Sequence, residues 1–228
     1  MSALKFAHNS ERPQIVVLAK APVPGRVKTR LSPTYSPADA AEIALAALLD
    51  TLDAVRDAPA SRRFLAMDGD LVSAPPGGIK MLHQRGDGLA ERIDYALADA
   101  FTIAVRPTLL IGMDTPQITA AHLARAGEQL AAPGVDAVLG LADDGGFWAL
   151  GLRRWVPGLF ADVGMSRPDT GENQLIRLRA AGLRVGLLRT LRDVDTAADA
   201  AAVAESAPWG RFARVLRELD AHVEVRAS

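Results

Sequence analysis

Apolar positions along the chain fall alternately into short unbroken runs and helical stripes. "QIVVLA" (Gln14–Ala19) is a compact β-branched run, the pattern of a strand buried on both faces. Ser36-Pro37 then pairs an N-cap with a proline at the first helical position, and Leu45, Leu48, Leu49, Leu52 and Val55 recur at helical spacing until "DAPAS". "RRFLAM" and "IKMLH" read as strands on either side of "SAPPGG", "GLAERIDYALADAF" as a helix, and "PTLLIG" (Pro107–Gly112) as another buried strand. Thr119 is placed to cap the helix "AAHLARAGEQLA", and "DAVLGL" and "FWALGL" flank the turn-like "ADDGG". A helix beginning at Thr170 should end at Gly182, before the late strand "RVGLLRTL". Thr196 with Asp199 resembles a capping box, and Phe212, Val215, Leu216 and Leu219 mark a last amphipathic helix.

Strands alternating with helices predict an α/β three-layer sandwich with a mostly parallel central sheet and right-handed crossovers. No repeat, low-complexity tract or long linker interrupts it, so a flexible segment over residues 1–12 and one domain over residues 13–228 are expected. In such sheets ligands bind beyond the carboxyl ends of the strands, which directs attention to the segments after each strand.

After the first strand comes "LAKAPVPGRVKTRLSP", with Lys20, Arg26, Lys28 and Arg30 among prolines and Gly25. Arginine offers phosphate a bidentate fork, lysine a point charge, and glycine a close backbone approach. The loop has neither the Gly-Lys-Ser/Thr ending of a Walker A motif nor a GxGxxG fingerprint; a solvated surface loop is the alternative. Asp114 in "LLIGMDTPQIT" directly follows a buried strand, where it either caps a turn or holds Mg²⁺, which takes one or two carboxylates plus substrate phosphates. "LRDVDTAADA" offers Asp193 and Asp195 as a second metal ligand or as capping residues. Asp195 is the expected ligand; Asp193 is expected to be structural, so that Asp193→Asn would mainly cost stability. Asp144, Gly145 and Gly146 in "DDGG" either meet a substrate or form a hairpin turn. "MSRPDTGENQ" places Ser166 and Thr170 beside a helix N-terminus, an anion site or a plain loop.

Composition narrows the choice. With 26 basic and 27 acidic residues the net charge is −1, which does not indicate a nucleic-acid partner; the basic loop inside a neutral chain points to a small anion. The absence of cysteine removes disulfides, thiol nucleophiles and cysteine zinc sites. His8, His83, His122 and His222 stand at no ligand spacing and read as incidental, and no GxSxG elbow supports serine hydrolase chemistry. The first twelve residues lack the apolar centre of a secretory signal, and no apolar stretch approaches the ~20 residues of a membrane span. No membrane partner and a cytoplasmic location are therefore expected.

"AKAPVPGRVKTRLSP", "IGMDTP", "DDGGFWALGL" and "LRDVDT", in this order, resemble the DUF2064 family, known as rSAM/selenodomain-associated transferase 1, from about Gln14 to Ala200. The resemblance implies a GT-A-like nucleotide-diphospho-sugar transferase fold. More distantly the chain is similar to 2-phospho-lactate guanylyltransferase and molybdenum-cofactor guanylyltransferase. That similarity implies a triphosphate grip at Arg26, Lys28 and Arg30, a metal-binding aspartate at Asp114 and a late acidic turn at Asp193 to Thr196. The chain lacks the glycine-rich first loop of the molybdenum-cofactor enzymes and an Asp-x-Asp triad at its middle strand.

The resulting expectation is a Mg²⁺- (or Mn²⁺-) dependent transferase acting on a nucleotide and a small-molecule acceptor. Lys28 and Asp114 would be its catalytic residues, Lys20, Gly25, Arg26, Lys28 and Arg30 its phosphate grip, Asp144, Gly145, Gly146, Ser166 and Thr170 its substrate contacts, and Asp114 and Asp195 its metal ligands. Nucleotidyl transfer from an NTP to a phosphorylated small molecule, with release of pyrophosphate, leads, followed by glycosyl transfer from an NDP-sugar and then by a nucleotide-binding regulatory module without catalysis.

Overall fold

A computed structural model of the chain describes residues 12–71 and 74–227, with side chains described to residue 222. The expected flexible segment thus lies, Arg12 apart, outside the described residues, as does His8. Seven strands form one sheet in the order β3-β2-β1-β4-β6-β5-β7: β1 (Gln14–Lys20), β2 (Arg62–Asp68), β3 (Lys80–His83), β4 (Thr108–Gly112), β5 (Ala137–Leu141), β6 (Phe147–Leu152) and β7 (Val185–Leu187). Among them only β6 runs antiparallel to its neighbours. The helices are α1 (Pro37–Asp57), α2 (Leu89–Ile103), α3 (Ala120–Ala131), α4 (Thr170–Ala180), α5 (Ala197–Ser206) and α6 (Arg211–Ala227).

Alternate residues of the central strands serve opposite layers, because successive side chains point to opposite faces. Ile15, Val17, Leu65, Leu109 and Ile111 pack with Leu48, Leu52, Leu123 and Leu130 of α1 and α3. Val16, Phe64, Leu110, Leu139 and Leu150 pack with Ile93, Leu97 and Leu178 of α2 and α4. Burial on both faces explains why "QIVVLA" shows no polar alternation. On its far side α1 meets α6 through Ile43, Phe212 and Leu216, and buried Leu31 and Val194 join that cluster. Two segments of site chemistry are anchored there.

The expected helix starts are present. Ser36 and Asp39, and Thr196 and Asp199, form reciprocal capping boxes. Thr119 does the same with His122, whose Nδ1 accepts the Thr119 N–H. His122 is therefore not incidental: as a hydrogen-bond acceptor it must be neutral, and burial, followed by Arg189 and Arg125, pushes its pKa down. The late strand is shorter than expected. β7 ends at Leu187, and the chain returns to the sheet only at Leu191, which bridges Ala142. Between them the Arg189 carbonyl accepts the Trp148 indole N–H at 2.9 Å. No helix among the described residues is long and apolar enough to cross a membrane.

Candidate active site

Because β6 alone is reversed, its first residues lie at the edge where the other strands end. The carboxyl end of β2, the segments after β1, β3, β4 and β5 and the run toward α5 all open on one crevice, a cleft of about 770 Å³. "DDGG" forms the hairpin turn that its sequence allowed, at the rim of this crevice. Residues 142–146 close the β5–β6 hairpin, with Ala142 N–H donating to the Gly146 carbonyl at 3.0 Å, and Asp144 and Gly146 line the cleft.

The loop after β1 is built to turn one cation inward. Val27 and Leu31 are buried and pin it to the core. Between them Lys28 adopts a left-handed conformation (φ 47°, ψ 38°), which costs a residue with a Cβ about 1 kcal/mol or more. Its side chain is 7% exposed, against 71% for Arg30. The Lys28 ammonium lies 2.8 Å from Asp114 Oδ1 and 3.9 Å from Asp195 Oδ1, and it also donates to the Val194 carbonyl. Arg30 holds the other oxygen of Asp195 at 2.8 Å. Val194 N–H donates to the Asp114 carbonyl at 2.9 Å, tying together two turns that are 80 residues apart in sequence. Lys28, Arg30, Asp114 and Asp195 thus form one cluster. Lys20, Arg26, Lys28 and Arg30 also line a smaller cavity of about 260 Å³ against the same two aspartates. Gly25 lines neither cavity; its φ of +74° serves the turn.

Asp193 is not the plain turn residue expected. It lines the cleft, and its Oδ1 is shut away from solvent with no hydrogen-bond partner. Burial, then the neighbouring carboxylates of Asp114 and Asp144, push its pKa from 3.8 up to about 7, with Lys28 opposing. An acid with a raised folded pKa loses stability as pH climbs from its unfolded value to its folded one, here between about 4 and 7, a change equivalent to at most roughly 4 kcal/mol. Asp193→Asn is therefore expected to raise stability in chelator-treated protein at pH 8, with the gain vanishing near pH 4. This reverses the stability cost inferred from the turn alone. Urea unfolding at the two pH values checks it; a lower midpoint at pH 8 would contradict the assignment.

Of the expected substrate contacts, Asp144, Gly146, Ser166 and Thr170 line the cleft. The Thr170 hydroxyl is already engaged, donating to the Gly164 carbonyl and accepting from Arg167 N–H. Gly145 lies instead beneath the Pro168 backbone. The sequence reading missed the opposite wall. There Asp68, at the end of β2, pairs with Arg92 of α2 at 2.6 Å, and Gln84 donates its amide to the Ala19 and Ala66 carbonyls. Asp68 and Gln84 end or follow strands, so the strand-end rule reaches them; nothing local marks Arg92. Among the described residues no three acidic or histidine side chains form a complete metal cage.

The model of the family described as "Uncharacterized protein conserved in bacteria (DUF2064)" matches residues 51–167, half of the chain. The chain belongs to the DUF2064 family. No curated protein matches this DUF2064 chain significantly. Among solved structures it is similar to a candidate nucleotide-diphospho-sugar transferase from Desulfovibrio desulfuricans G20, with 26% identity and a TM-score of 0.83 over 94% of this chain and 97% of that one. It shares its fold with CMP:2-keto-3-deoxy-manno-octonic acid synthetase complexed with CTP (14% identity, TM-score 0.53, covering 85% and 97%). The same holds for Rv0371c of Mycobacterium tuberculosis H37Rv complexed with manganese (21% identity, TM-score 0.53, covering 86% and 100%). The architecture is that of the nucleotidyl and sugar-nucleotide transferases, as the motifs implied.

Proposed function

We propose that this DUF2064 chain is a divalent-metal-dependent transferase using a nucleotide, and that its reaction is nucleotidyl transfer. The observation that carries the reading is the pair of cavities meeting at Asp114 and Asp195. The larger has room for a nucleotide and an acceptor. The smaller, lined by Lys20, Arg26, Lys28 and Arg30, has the charge and size for a departing pyrophosphate. Similarity to the Desulfovibrio protein supports the transferase class.

The residues suit a hard cation. Asp114 and Asp195 supply carboxylate oxygens, the unpartnered Asp193 Oδ1 lies beside them, and phosphate oxygens and water would fill the other positions. Bound there, Mg²⁺ or Mn²⁺ would offset phosphate charge and polarise the reacting phosphorus. Lys20, Arg26, Lys28 and Arg30 hold the β- and γ-phosphates, while the wall bearing Asp144, Gly146 and Ser166 orients the acceptor. An acceptor oxygen forms its bond to the α-phosphorus as the bond to the β-phosphate oxygen breaks, and pyrophosphate leaves with the negative charge. Positioning and fixed charge carry the catalysis.

Glycosyl transfer is the second reading, favoured by the description of the Desulfovibrio relative. A coupled pyrophosphate assay across the four NTPs, with a metabolite extract as acceptor pool, separates the two. Nucleotidyl transfer predicts pyrophosphate that depends on both acceptor and metal. Release of an NDP from an NDP-sugar, with no pyrophosphate from any NTP, would establish glycosyl transfer instead.

A further inference from the structure

We infer that Lys28 is the resident cation of the Asp114–Asp195 pair and competes with divalent metal for it, so that metal enters together with phosphate rather than alone. This rests on the reading above that these two aspartates hold the ion. The loop departs from the common backbone regions at Lys28, and the effect is to send its ammonium inward to a site 7% exposed, while neighbouring Arg30 stays in solvent. Once there, the ammonium donates to the Val194 carbonyl, lies 2.8 Å from Asp114 Oδ1, and has Asp195 Oδ1 at the longer ion-pair distance of 3.9 Å. Oxygens converging on a compact cation in this way are the ones a hard metal ion would use.

Charge balance points the same way. Lys28 and Arg30 cancel Asp114 and Asp195 in formal charge. A divalent ion arriving alone would face an already neutral cluster and a fixed ammonium at close range. Phosphate changes this balance. Lys28 also lines the smaller cavity with Lys20, Arg26 and Arg30, so a polyphosphate seated there gives the ammonium new oxygens without a large movement. Each ligand then favours the other, and the coupling is reciprocal.

The test measures Mn²⁺ binding to the full chain without nucleotide, by loss of the free-ion electron paramagnetic resonance signal, in wild type, Lys28→Gln and Asp114→Asn. Melting curves verify that each is folded. Lys28→Gln should bind Mn²⁺ at least about 10-fold more tightly than wild type, while its affinity for inorganic tripolyphosphate, measured with chelator present, falls by about 10-fold or more. A lysine with a merely structural role would give no gain in metal affinity. Folded Lys28→Gln with wild-type or weaker Mn²⁺ affinity, alongside loss of binding in Asp114→Asn, would overturn the competition and leave the metal reading standing. Absence of Mn²⁺ binding in all three would overturn that reading and the competition with it. Should Lys28→Gln fail to fold, wild-type protein supplies the answer: saturating Mn²⁺ should speed acetylation of Lys28 as read by mass spectrometry. An unchanged rate with Mn²⁺ demonstrably bound would overturn the proposal.

Discussion

Asp114→Asn is expected to fold normally and to lose metal-dependent nucleotide binding by about 100-fold or more, a change of ~2.7 kcal/mol. The substitution keeps the size of the side chain and its ability to accept from Lys28, but removes the charge that holds a cation. Lys28 loses an ion pair with that charge but keeps the Val194 carbonyl and Asp195. The contact that fixes the turn runs through the Asp114 backbone carbonyl to Val194 N–H, and the Asp114 side chain is 42% exposed. Binding of the nucleotide measured with chelator should persist, because the cationic loop is untouched. Calorimetric titration of Mn²⁺–nucleotide, and of nucleotide with chelator, into wild type and variant compares the two terms. Wild-type affinity for the metal complex in Asp114→Asn would remove Asp114 from the metal site.

Gly145→Ala should cost roughly 3–5 kcal/mol of stability, a strained left-handed φ adding to a steric clash. The φ of Gly145 is +88°, and a Cβ there would stand 1.8 Å from the Pro168 carbonyl oxygen and 2.5 Å from its carbon. Both are backbone atoms, so no rotamer change relieves the contact. The Gly145 carbonyl also accepts Gly171 N–H at 2.7 Å, joining the β5–β6 turn to the first turn of α4. The same closeness holds Met165, Ser166 and Arg167 against the cleft, so the variant should also raise the KM of any substrate on that wall. Urea unfolding and steady-state kinetics read the two effects. An unchanged unfolding midpoint would mean that the turn and the loop do not pack.

Gly145 shows where a sequence reading stops. "DDGG" announces a backbone that must be free of side chains, but not what comes close to it. A substrate was expected; the neighbour is Pro168, 23 residues along the chain. Asp193 and Asp195 are a second case. They sit two apart after the last strand, and the one local ground for expecting Asp195 as the ligand is its place just before the Thr196 cap. Their surroundings differ only once the chain has packed: Lys28 and Arg30 pair with Asp195, while Asp114 and Asp144 crowd Asp193.

By itself the sequence determined the order and kind of nearly every element, because strand runs, helical stripes and the caps at Ser36, Thr119 and Thr196 are local patterns that burial and hydrogen bonding enforce wherever they occur. It also determined that cations follow the first strand and acids the fourth, and hence that a parallel sheet would bring them to one edge. Tertiary structure alone decided the insertion of β6 between β4 and β5, the pairing of Arg92 with Asp68, the inward turn of Lys28 and the closed environment of Asp193. Each of these joins segments far apart in the chain, and the distances, charges and burial that set a carboxylate's proton affinity or a lysine's partner exist only once those segments have packed.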